Sequence, residues 1–238
     1  MNLDSKTFFV TGANRGIGKA IVQALLKQRV KKIYAAARNP QDLPDFGDAR
    51  VVSVTLDITD QGQVQKAAQQ AQDIDVLINN AGTLALAAIV DGKPEDVKRD
   101  MEVNYFGTLG VIRAFVPHLE KRGGAAIANV VSVVGLASMP SIGGYSASKA
   151  ALSSATQAMR GELKAKEIAV HGIFPGPIDT DMAKGFEMQK ATPQSTAENI
   201  VKGIVAGTED IYPDPMSQQI GMLYAKDPKE LERQFGAM

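Results

Sequence analysis

Short apolar runs recur along this chain, and most of them are separated by segments with helical periodicity. The runs that we expect to form strands are Thr7–Val10, Ile33–Ala37, Val51–Leu56, Asp75–Ile78, Ala125–Val131, Val170–Phe174 and Ile211–Pro213. Continuous apolar runs of this length are typical of strands that are buried on both faces. Because the strands alternate with helices at short intervals, the pattern predicts a parallel α/β sheet with right-handed connections.

Helical patterns occupy several of the intervals between these runs. The expected helices are Lys19–Leu26, a polar helix ending near Gln72, Pro94–Leu119, a helix from Tyr145 to Lys164, and Thr196–Val205. From Asp214 onward the sequence predicts a short helix and then a charged tail. Residues 183–193 are polar and contain glycine, so we expect a small movable flap there. No repeat or linker divides the chain, and residues 1–238 are expected to form one domain.

The composition is that of a globular protein and excludes several classes of function. Of the 238 residues, 45% are hydrophobic and 22% charged, and the 26 basic residues balance the 26 acidic ones. No net field therefore draws the protein to nucleic acid or to a membrane surface. The chain has no cysteine, and His118 and His171 alone cannot build a zinc site, so no metal is expected. No apolar run reaches transmembrane length and the first strand leaves no room for a signal peptide, so we expect a cytoplasmic protein.

A glycine-rich turn follows the first strand and leads directly into the first helix. The stretch Thr11–Gly18 carries Gly12, Gly16 and Gly18 in the spacing Gly-x-x-x-Gly-x-Gly. A strand, a glycine-rich turn and a helix together are the context of a dinucleotide-binding loop, in which the pyrophosphate lies at the helix N-terminus. The alternative is a loop that needs glycine for backbone reasons only.

The end of the second strand favours NADP(H) over NAD. An NAD site usually has an acidic residue about 20 positions after the glycine motif, where it holds the ribose 2′-hydroxyl. Here Ala37 is followed by Arg38, and no acid is present. Arg38 and Arg15 could clamp a 2′-phosphate through charge-assisted hydrogen bonds. The alternative is a pair of solvated surface arginines.

Tyr145 and Lys149 are the candidate catalytic pair. Residues four apart lie on the same side of a helix, so an ammonium group is expected beside a phenol. We expect this positive charge to lower the pKa of Tyr145 from its ordinary value of about 10 towards the range of acid–base catalysis. Ser132 ends the fifth strand, where hydroxyl groups face the ligand crevice of open α/β sheets.

Several polar residues have two interpretations each. Asp57, after the third strand, could cap the next helix or accept a hydrogen bond from an adenine amino group. Asn104 lies among apolar neighbours, so it is either a satisfied structural asparagine or a residue that holds a water in a proton relay. Asp179 and Asp181 resemble a carboxylate pair, and we interpret them as loop and helix-start residues.

Taken in order, these motifs resemble the short-chain dehydrogenase/reductase family in its compact form. The matching pieces are Thr11–Gly18, Asp57, Asn79-Asn80-Ala81-Gly82, Asn104, Ser132, Tyr145-x-x-x-Lys149 and Pro175-Gly176. The resemblance implies a Rossmann-type three-layer sandwich, with a twisted parallel sheet of about seven strands and helices on both faces. It also implies an NADP(H)-dependent enzyme.

The resemblance implies a role for each matching residue. Asn104, Ser132, Tyr145 and Lys149 would form the catalytic tetrad, in which Tyr145 gives its proton to the developing alkoxide. Ser132 would orient the same oxygen, Lys149 would lower the Tyr145 pKa and hold the nicotinamide ribose, and Asn104 would anchor a relay water. The implied cofactor-binding residues are Gly12, Asn14, Arg15, Gly16, Ile17, Gly18, Arg38, Asp57, Ile58, Asn80, Ala81, Gly82, Tyr145, Lys149, Pro175, Gly176, Ile178 and Thr180.

The chain departs from the family pattern in two places. Val30 and Lys31 occupy the region where the first helix commonly ends in glycine, and residues 208–238 lack the usual closing strand and glycine motif. Relatives commonly form tetramers or dimers through the helices that here span Asp96–Leu119 and Tyr145–Lys164. We therefore expect a homo-oligomer.

The expected substrate wall is mostly apolar and carries no clamp for a carboxylate or phosphate. Its candidate residues are Leu84, Ala85, Val133, Val134, Met139, Ile142, Pro177, Met182 and Phe186. This wall favours reduction of a small or medium hydrophobic ketone, aldehyde or keto ester to the alcohol. The alternatives are a 3-oxoacyl thioester reductase and a non-catalytic regulator that senses NADP(H).

Overall fold

Seven strands form one sheet in which all neighbours are parallel. The computed structural model describes all 238 residues. Its strands are β1 (Thr7–Thr11), β2 (Lys32–Ala37), β3 (Val51–Thr55), β4 (Val76–Asn79), β5 (Ala125–Val130), β6 (Ile168–Ile173) and β7 (Asp210–Ile211). They lie in the order β3-β2-β1-β4-β5-β6-β7.

Helices cover both faces of this sheet, so the predicted three-layer fold is confirmed. The helices are α1 (Gly16–Leu26), α2 (Gln61–Gln70), α3 (Pro94–Met101), α4 (Thr108–Leu119), α5 (Gly143–Leu163), α6 (Pro193–Ala206), α7 (Pro215–Lys226) and α8 (Pro228–Gly236). One apolar core lies between the sheet and the α1–α6 layer, and a second lies under α2, α4 and α5. No helix combines the length and the apolar character that crossing a bilayer requires.

The strand order reverses between β1 and β4, which are neighbours in the sheet although β2 and β3 separate them in the chain. In open α/β sheets ligands bind beyond the carboxyl ends of the strands at such a reversal. The glycine loop follows β1, Asn80–Gly82 follows β4, and Ser132 follows β5. The predicted motifs therefore converge on one edge of the sheet.

The helix predicted for Pro94–Leu119 is helical throughout but contains a wider turn. Between α3 and α4, Glu102–Gly107 forms a π-helical turn. A Cβ on Gly107 would lie only 3.0 Å from the Ile58 side chain, so this glycine permits close packing against the core. Such turns are frequent at functional sites, and this one holds the fully buried Asn104.

The expected charged tail after Asp214 is wrong. Residues 214–238 form two capped helices, and the Asp214 carboxylate accepts from the Ser217 N–H at 2.9 Å to begin α7. The carboxylate of Asp227 accepts from the Glu230 N–H at 3.0 Å to begin α8. Leu231 and Phe235 are buried in a third apolar core, which also contains Tyr145. The charges lie on the outer face of an amphipathic helix.

Candidate active site

The main-chain conformation of the loop requires glycine, and the helix that follows the loop begins without a side-chain cap. Gly12 and Gly16 have φ angles of +65° and +54°. A Cβ on Gly18 would lie 2.2 Å from the Gly12 carbonyl oxygen. At the N-terminus of α1, Arg15 makes no side-chain cap and the first turn has no acidic residue. The free N–H groups there fit a pyrophosphate, so the two interpretations of the loop are compatible.

Asn80 braces this loop from the neighbouring strand. Its Nδ2 donates to the carbonyl oxygens of Thr11 and Gly12, both at 3.0 Å. The Thr11 hydroxyl accepts from the N–H groups of Asn80 and Ala81 at 2.9 and 3.0 Å. The Asn80 amide therefore holds the loop in shape, which is a different role from contact with adenosine.

Asp57 does not cap the next helix. The cap is Asp60, whose Oδ1 accepts from the N–H groups of Gly62 and Gln63. Asp57 Oδ1 instead accepts from the N–H and hydroxyl of Thr59, which leaves Oδ2 without a protein partner. Of the two earlier interpretations, the capping role is therefore wrong. Ile58 is buried in the core, so only its main chain is available at this edge.

The two candidate arginines differ in their partners. Arg38 is exposed at the end of β2 and makes no ion pair. Arg15 Nη1 lies 3.2 Å from Asp181 Oδ2, and both side chains are largely exposed. Lys184 and Arg15 lower the pKa of Asp181. Exposed pairs of this kind contribute at most about 1 kcal/mol, so Arg15 can exchange Asp181 for a phosphate.

A cavity of about 340 Å³ opens beside the N-terminus of α1. It is lined by Gly16, Lys19 and Thr180, among others. Thr180 lies next to the glycine loop, because a Cβ on Gly16 would come within 3.2 Å of the Thr180 Cγ2. The implied nicotinamide side, including Ile178, therefore adjoins the implied pyrophosphate position. Ile178 itself is buried and bridges to Ala191.

Tyr145, Lys149 and Ser132 come together at the start of α5. All three are buried, with 8%, 4% and 9% of their surface exposed. Lys149 Nζ lies 5.6 Å from the centre of the Tyr145 ring and donates to the Val130 carbonyl at 2.9 Å. The Ser132 hydroxyl accepts from the Val134 N–H at 3.3 Å and donates to the Pro175 carbonyl at 3.5 Å. The chain thus places two hydroxyl groups and one ammonium group at the carboxyl end of β5.

The expected lowering of the Tyr145 pKa by Lys149 is wrong for the chain alone. Burial raises the pKa of Tyr145, and this effect outweighs the nearby Ser132 hydroxyl, which lowers it. Burial also lowers the pKa of Lys149 to about 8. Desolvation therefore opposes charge on both groups. A phenol that stays protonated near neutral pH is suited to donate its proton to a developing oxyanion.

The Asn104 side chain is fully used by the protein. Its Oδ1 accepts from the Thr83 N–H, and its Nδ2 donates to the Thr83 carbonyl and to the Ser148 hydroxyl, all at 2.9 Å. Of the two interpretations, these contacts support the satisfied structural amide. A Cβ on Gly82 would lie 2.9 Å from Asn104 Oδ1 and 3.6 Å from Lys149 Nζ, so the amide nevertheless adjoins the site.

Six of the nine predicted wall residues belong to the third apolar core or pack against it. Val133, Val134 and Ile142 are buried there with Tyr145, and Leu84, Met139 and Phe186 are packed against it. Met182 does not belong to this core and is 41% exposed.

Sequence reasoning assigned no residue beyond Phe186 to this core. The missed residues of this core are Tyr212, Ile220, Leu223, Tyr224, Leu231 and Phe235. Their helical spacing, together with Asp-Pro at the start of both α7 and α8, was the signal that could have found them.

Asp214 ties these C-terminal helices to the Pro175–Gly176 motif. Its Oδ2 accepts from the Gly176 N–H at 2.9 Å, while its Oδ1 caps α7. Asp214 is buried, with 2% of its surface exposed. One carboxylate thus fixes the loop after β6 relative to the helix that completes the apolar wall.

No group of three or more His, Asp or Glu side chains is placed to hold a metal ion. Asp179 and Asp181 lie in the irregular segment after β6, and Asp181 pairs with Arg15 and Lys184. Asp179 is a loop residue and Asp181 begins a short 3-10 helix, Asp181–Ala183, as interpreted from the sequence.

Comparison with known proteins places this site in a family. The model of the short chain dehydrogenase family matches residues 6–191. A short chain dehydrogenase from Burkholderia cenocepacia, solved in complex with NADP, superposes with a TM-score of 0.94 at 37% identity and covers 99% of both chains.

Two curated relatives extend the comparison. An oxidoreductase of Botryotinia fuckeliana is 34% identical over 196 residues, which are 79% of this chain and 71% of that protein. The 3-oxoacyl-(acyl-carrier-protein) reductase FabG of Thermotoga maritima is 34% identical over 194 residues, which are 77% of this chain and 78% of that protein.

Proposed function

The chain belongs to the short-chain dehydrogenase family, and from that premise we propose that it is an NADPH-dependent reductase. Its substrate is a small to medium hydrophobic ketone, aldehyde or keto ester, and its product is the alcohol. The observation that carries this proposal is the meeting of Tyr145, Ser132 and Lys149 beside an open glycine loop and an apolar wall.

The chain's own groups perform the proton chemistry. When bound, NADPH supplies the hydride that reaches the carbonyl carbon. Tyr145 donates its phenolic proton to the carbonyl oxygen as negative charge develops there. Ser132 hydrogen-bonds the same oxygen and orients it. The Lys149 ammonium stabilises the phenolate that remains, until a proton from solvent restores the phenol.

Two features support NADPH as the cofactor. The related Burkholderia dehydrogenase, which is 37% identical over 99% of this chain, was solved in complex with NADP. In this chain Arg38 is free of carboxylate partners at the end of β2, and Arg15 is held only by an exposed pair. One guanidinium group without an acidic partner, and a second whose only partner is an exposed one, suit a 2′-phosphate.

The apolar wall supports an uncharged substrate. Val134 and Ile142 share the third core with Tyr145, and Leu84 and Phe186 pack against that core. We propose that residues 183–193 form a flap over this wall and that the whole chain is one domain. Exposed small residues on α5, including Ala147, Ala150 and Ala158, support a homo-oligomer that packs through this helix.

A 3-oxoacyl thioester reductase is the second candidate. It is favoured by the 34% identity to the Thermotoga 3-oxoacyl-(acyl-carrier-protein) reductase. An acidic carrier would need a basic cluster at the rim, and residues 183–193 offer only Lys184 and Lys190. The non-catalytic NADP(H) sensor is less well supported, because it leaves the buried Tyr145, Ser132 and Lys149 without a role.

A carbonyl panel tests the proposal. Purified protein is assayed for NADPH and NADH oxidation with aryl ketones, aldehydes, β-keto esters and a 3-oxoacyl thioester. We expect turnover with NADPH and a hydrophobic ketone or keto ester. Turnover confined to the thioester would favour the second candidate, and NADPH binding without turnover on any carbonyl would favour the sensor.

A further inference from the structure

Asp100 is a buried carboxylate that the proposed reaction does not use. It lies on α3 with 0% of its surface exposed, and both of its oxygens accept from the Ala85 N–H at 3.2 and 3.1 Å. It makes no ion pair, unlike Asp75, which has Lys6 and Arg122 at 3.3 Å. Asp214, buried to a similar degree, also lacks a cation but accepts from two backbone N–H groups, whereas Asp100 accepts from one. A buried carboxylate without a cation in contact is costly, so its presence needs a reason.

The position of Asp100 connects it to the site. It lies four residues before Asn104, so the two side chains are on the same side of the helical segment about one turn apart. The Asn104 side chain hydrogen-bonds both the N–H and the carbonyl of Thr83, and the Asp100 carboxylate accepts from the N–H of Ala85. Two successive turns of one helical segment thus fix the main chain that leads away from Gly82, which adjoins Lys149 Nζ.

The charge of Asp100 acts on the catalytic pair. Its charge adds to the raising of the Tyr145 pKa by burial and partly offsets the lowering of the Lys149 pKa by burial. No other carboxylate acts on either group. The charged groups facing Asp100 are Asp96 and Arg99 on α3 and Lys149 on α5. Burial raises the pKa of Asp100, while the Ala85 N–H, Arg99 and Lys149 lower it.

We propose that Asp100 is a positioning residue: its buried carboxylate holds the Leu84–Ala85 wall and places a negative charge beside the Tyr145–Lys149 pair. This inference rests on the proposed reductase activity. Reduction consumes the Tyr145 proton in every turnover, and Lys149 acts on the phenolate only while it is protonated. A nearby negative charge therefore extends to higher pH the range in which the pair can work. The same carboxylate fixes Ala85, next to the wall residue Leu84.

Substitutions separate the two roles of Asp100. Asp100→Asn retains an acceptor for the Ala85 N–H but removes the charge, and Asp100→Ala removes both. Asp75→Asn is the matched control, because it removes a buried carboxylate that also accepts a backbone N–H, from Thr7 at 2.8 Å, far along the chain from the site. If Asp100→Asn does not fold, Asp100→Ser provides a hydroxyl for Ala85 without charge.

The test is the titration of Lys149 in the cofactor-free protein, followed by the 13Cε chemical shift and assigned with Lys149→Arg. We expect Asp100→Asn to move the midpoint down by about one pH unit, the scale of an opposite charge nearby. Asp75→Asn should leave it unchanged. In activity assays the alkaline limb of kcat should move to lower pH in Asp100→Asn, and Asp100→Ala should also raise KM for the carbonyl substrate.

An unchanged Lys149 midpoint in Asp100→Asn and Asp100→Ser would overturn the inference, as would an equal shift in Asp75→Asn. The titration needs no turnover. A shifted midpoint in a protein that reduces no carbonyl would contradict the proposed function and leave the electrostatic coupling established.

Discussion

The cofactor side and the substrate side of the site are built from different kinds of contact. The glycine loop is fixed by main-chain geometry, with two positive φ angles and the Asn80 amide donating to two loop carbonyls. The substrate side is an apolar core that joins Leu84, Val134 and Ile142 to Phe235, over 150 residues along the chain from the first of them. Main-chain constraints tolerate few residue types, whereas apolar packing accepts many. Substitutions in the glycine loop should therefore abolish cofactor binding, whereas substitutions in the apolar core should reduce stability.

The largest effect is expected on the cofactor side. In Gly18→Ala the new Cβ would lie 2.2 Å from the Gly12 oxygen and 2.4 Å from Asn80 Nδ2, so the loop must distort. We expect loss of detectable NADPH binding, measured by titration of NADPH fluorescence or by calorimetry. Gly161→Ala is the control, since a Cβ there meets nothing within 4 Å. That helical substitution should retain binding and stabilise the protein by about 0.5–1 kcal/mol. Normal NADPH binding by Gly18→Ala would refute the close-approach argument.

A core substitution on the substrate side should reduce stability rather than cofactor binding. Phe235 is 4% exposed and packs in the core that contains Tyr145. Phe235→Ala should lower the free energy of unfolding by about 3–5 kcal/mol and raise KM for the carbonyl, while the folded protein keeps its NADPH affinity. Chemical denaturation measures the first effect and initial rates the second. Met222→Ala, on the exposed face of α7 with 66% exposure, is the control. Equal stability of the two variants would mean that α8 does not complete the core.

These two sides also explain what the sequence could predict. The glycines, Tyr145 and Lys149 occupy fixed spacings, because main-chain geometry and helix periodicity impose them. The apolar face of α8 carries only Leu231 and Phe235 among charged residues, so composition alone suggested a tail. The core that α8 joins is decided by tertiary packing, which the sequence pattern does not show. The pKa of Tyr145 was mispredicted for a similar reason, since burial cannot be read from the Tyr-x-x-x-Lys spacing.

Cofactor preference is a smaller effect on the cofactor side. Arg38→Asp replaces the free guanidinium at the end of β2 with the acid that an NAD site uses. Loss of a charged hydrogen bond worth about 1.5–3 kcal/mol should reduce preference for NADPH over NADH by about 10- to 100-fold. The ratio of kcat/KM with the two cofactors measures this change. An unaltered ratio would place the 2′-phosphate elsewhere, with Arg15 the next residue to substitute.

The smallest effect concerns the sheet that both sides share. His171 on β6 is 2% exposed, and burial lowers its pKa below the ordinary value of 6.5. Below pH 6.5 the unfolded chain therefore binds a proton that the folded protein does not. As the pH decreases from 6.5 to the lowered pKa of His171, the free energy of unfolding should fall by about 1.4 kcal/mol for each pH unit. Below the lowered pKa it should stop falling, because the folded protein then binds the proton as well.

Denaturation at several pH values measures this slope. His171→Asn keeps a side-chain N–H for the Thr208 carbonyl, which lies 2.7 Å from His171 Nδ1, and should flatten the slope. An equal slope in this variant would assign the effect to other groups.

The central claim is that Tyr145 gives its proton to a carbonyl reduced by NADPH. Its most direct test compares wild type with Tyr145→Phe in single turnovers of bound NADPH with the best ketone or keto ester of the panel. We predict that the variant binds NADPH as the wild type does and loses at least about 100-fold in rate, the scale of general acid catalysis. A variant with normal NADPH binding and a rate within a few-fold of wild type would contradict the account.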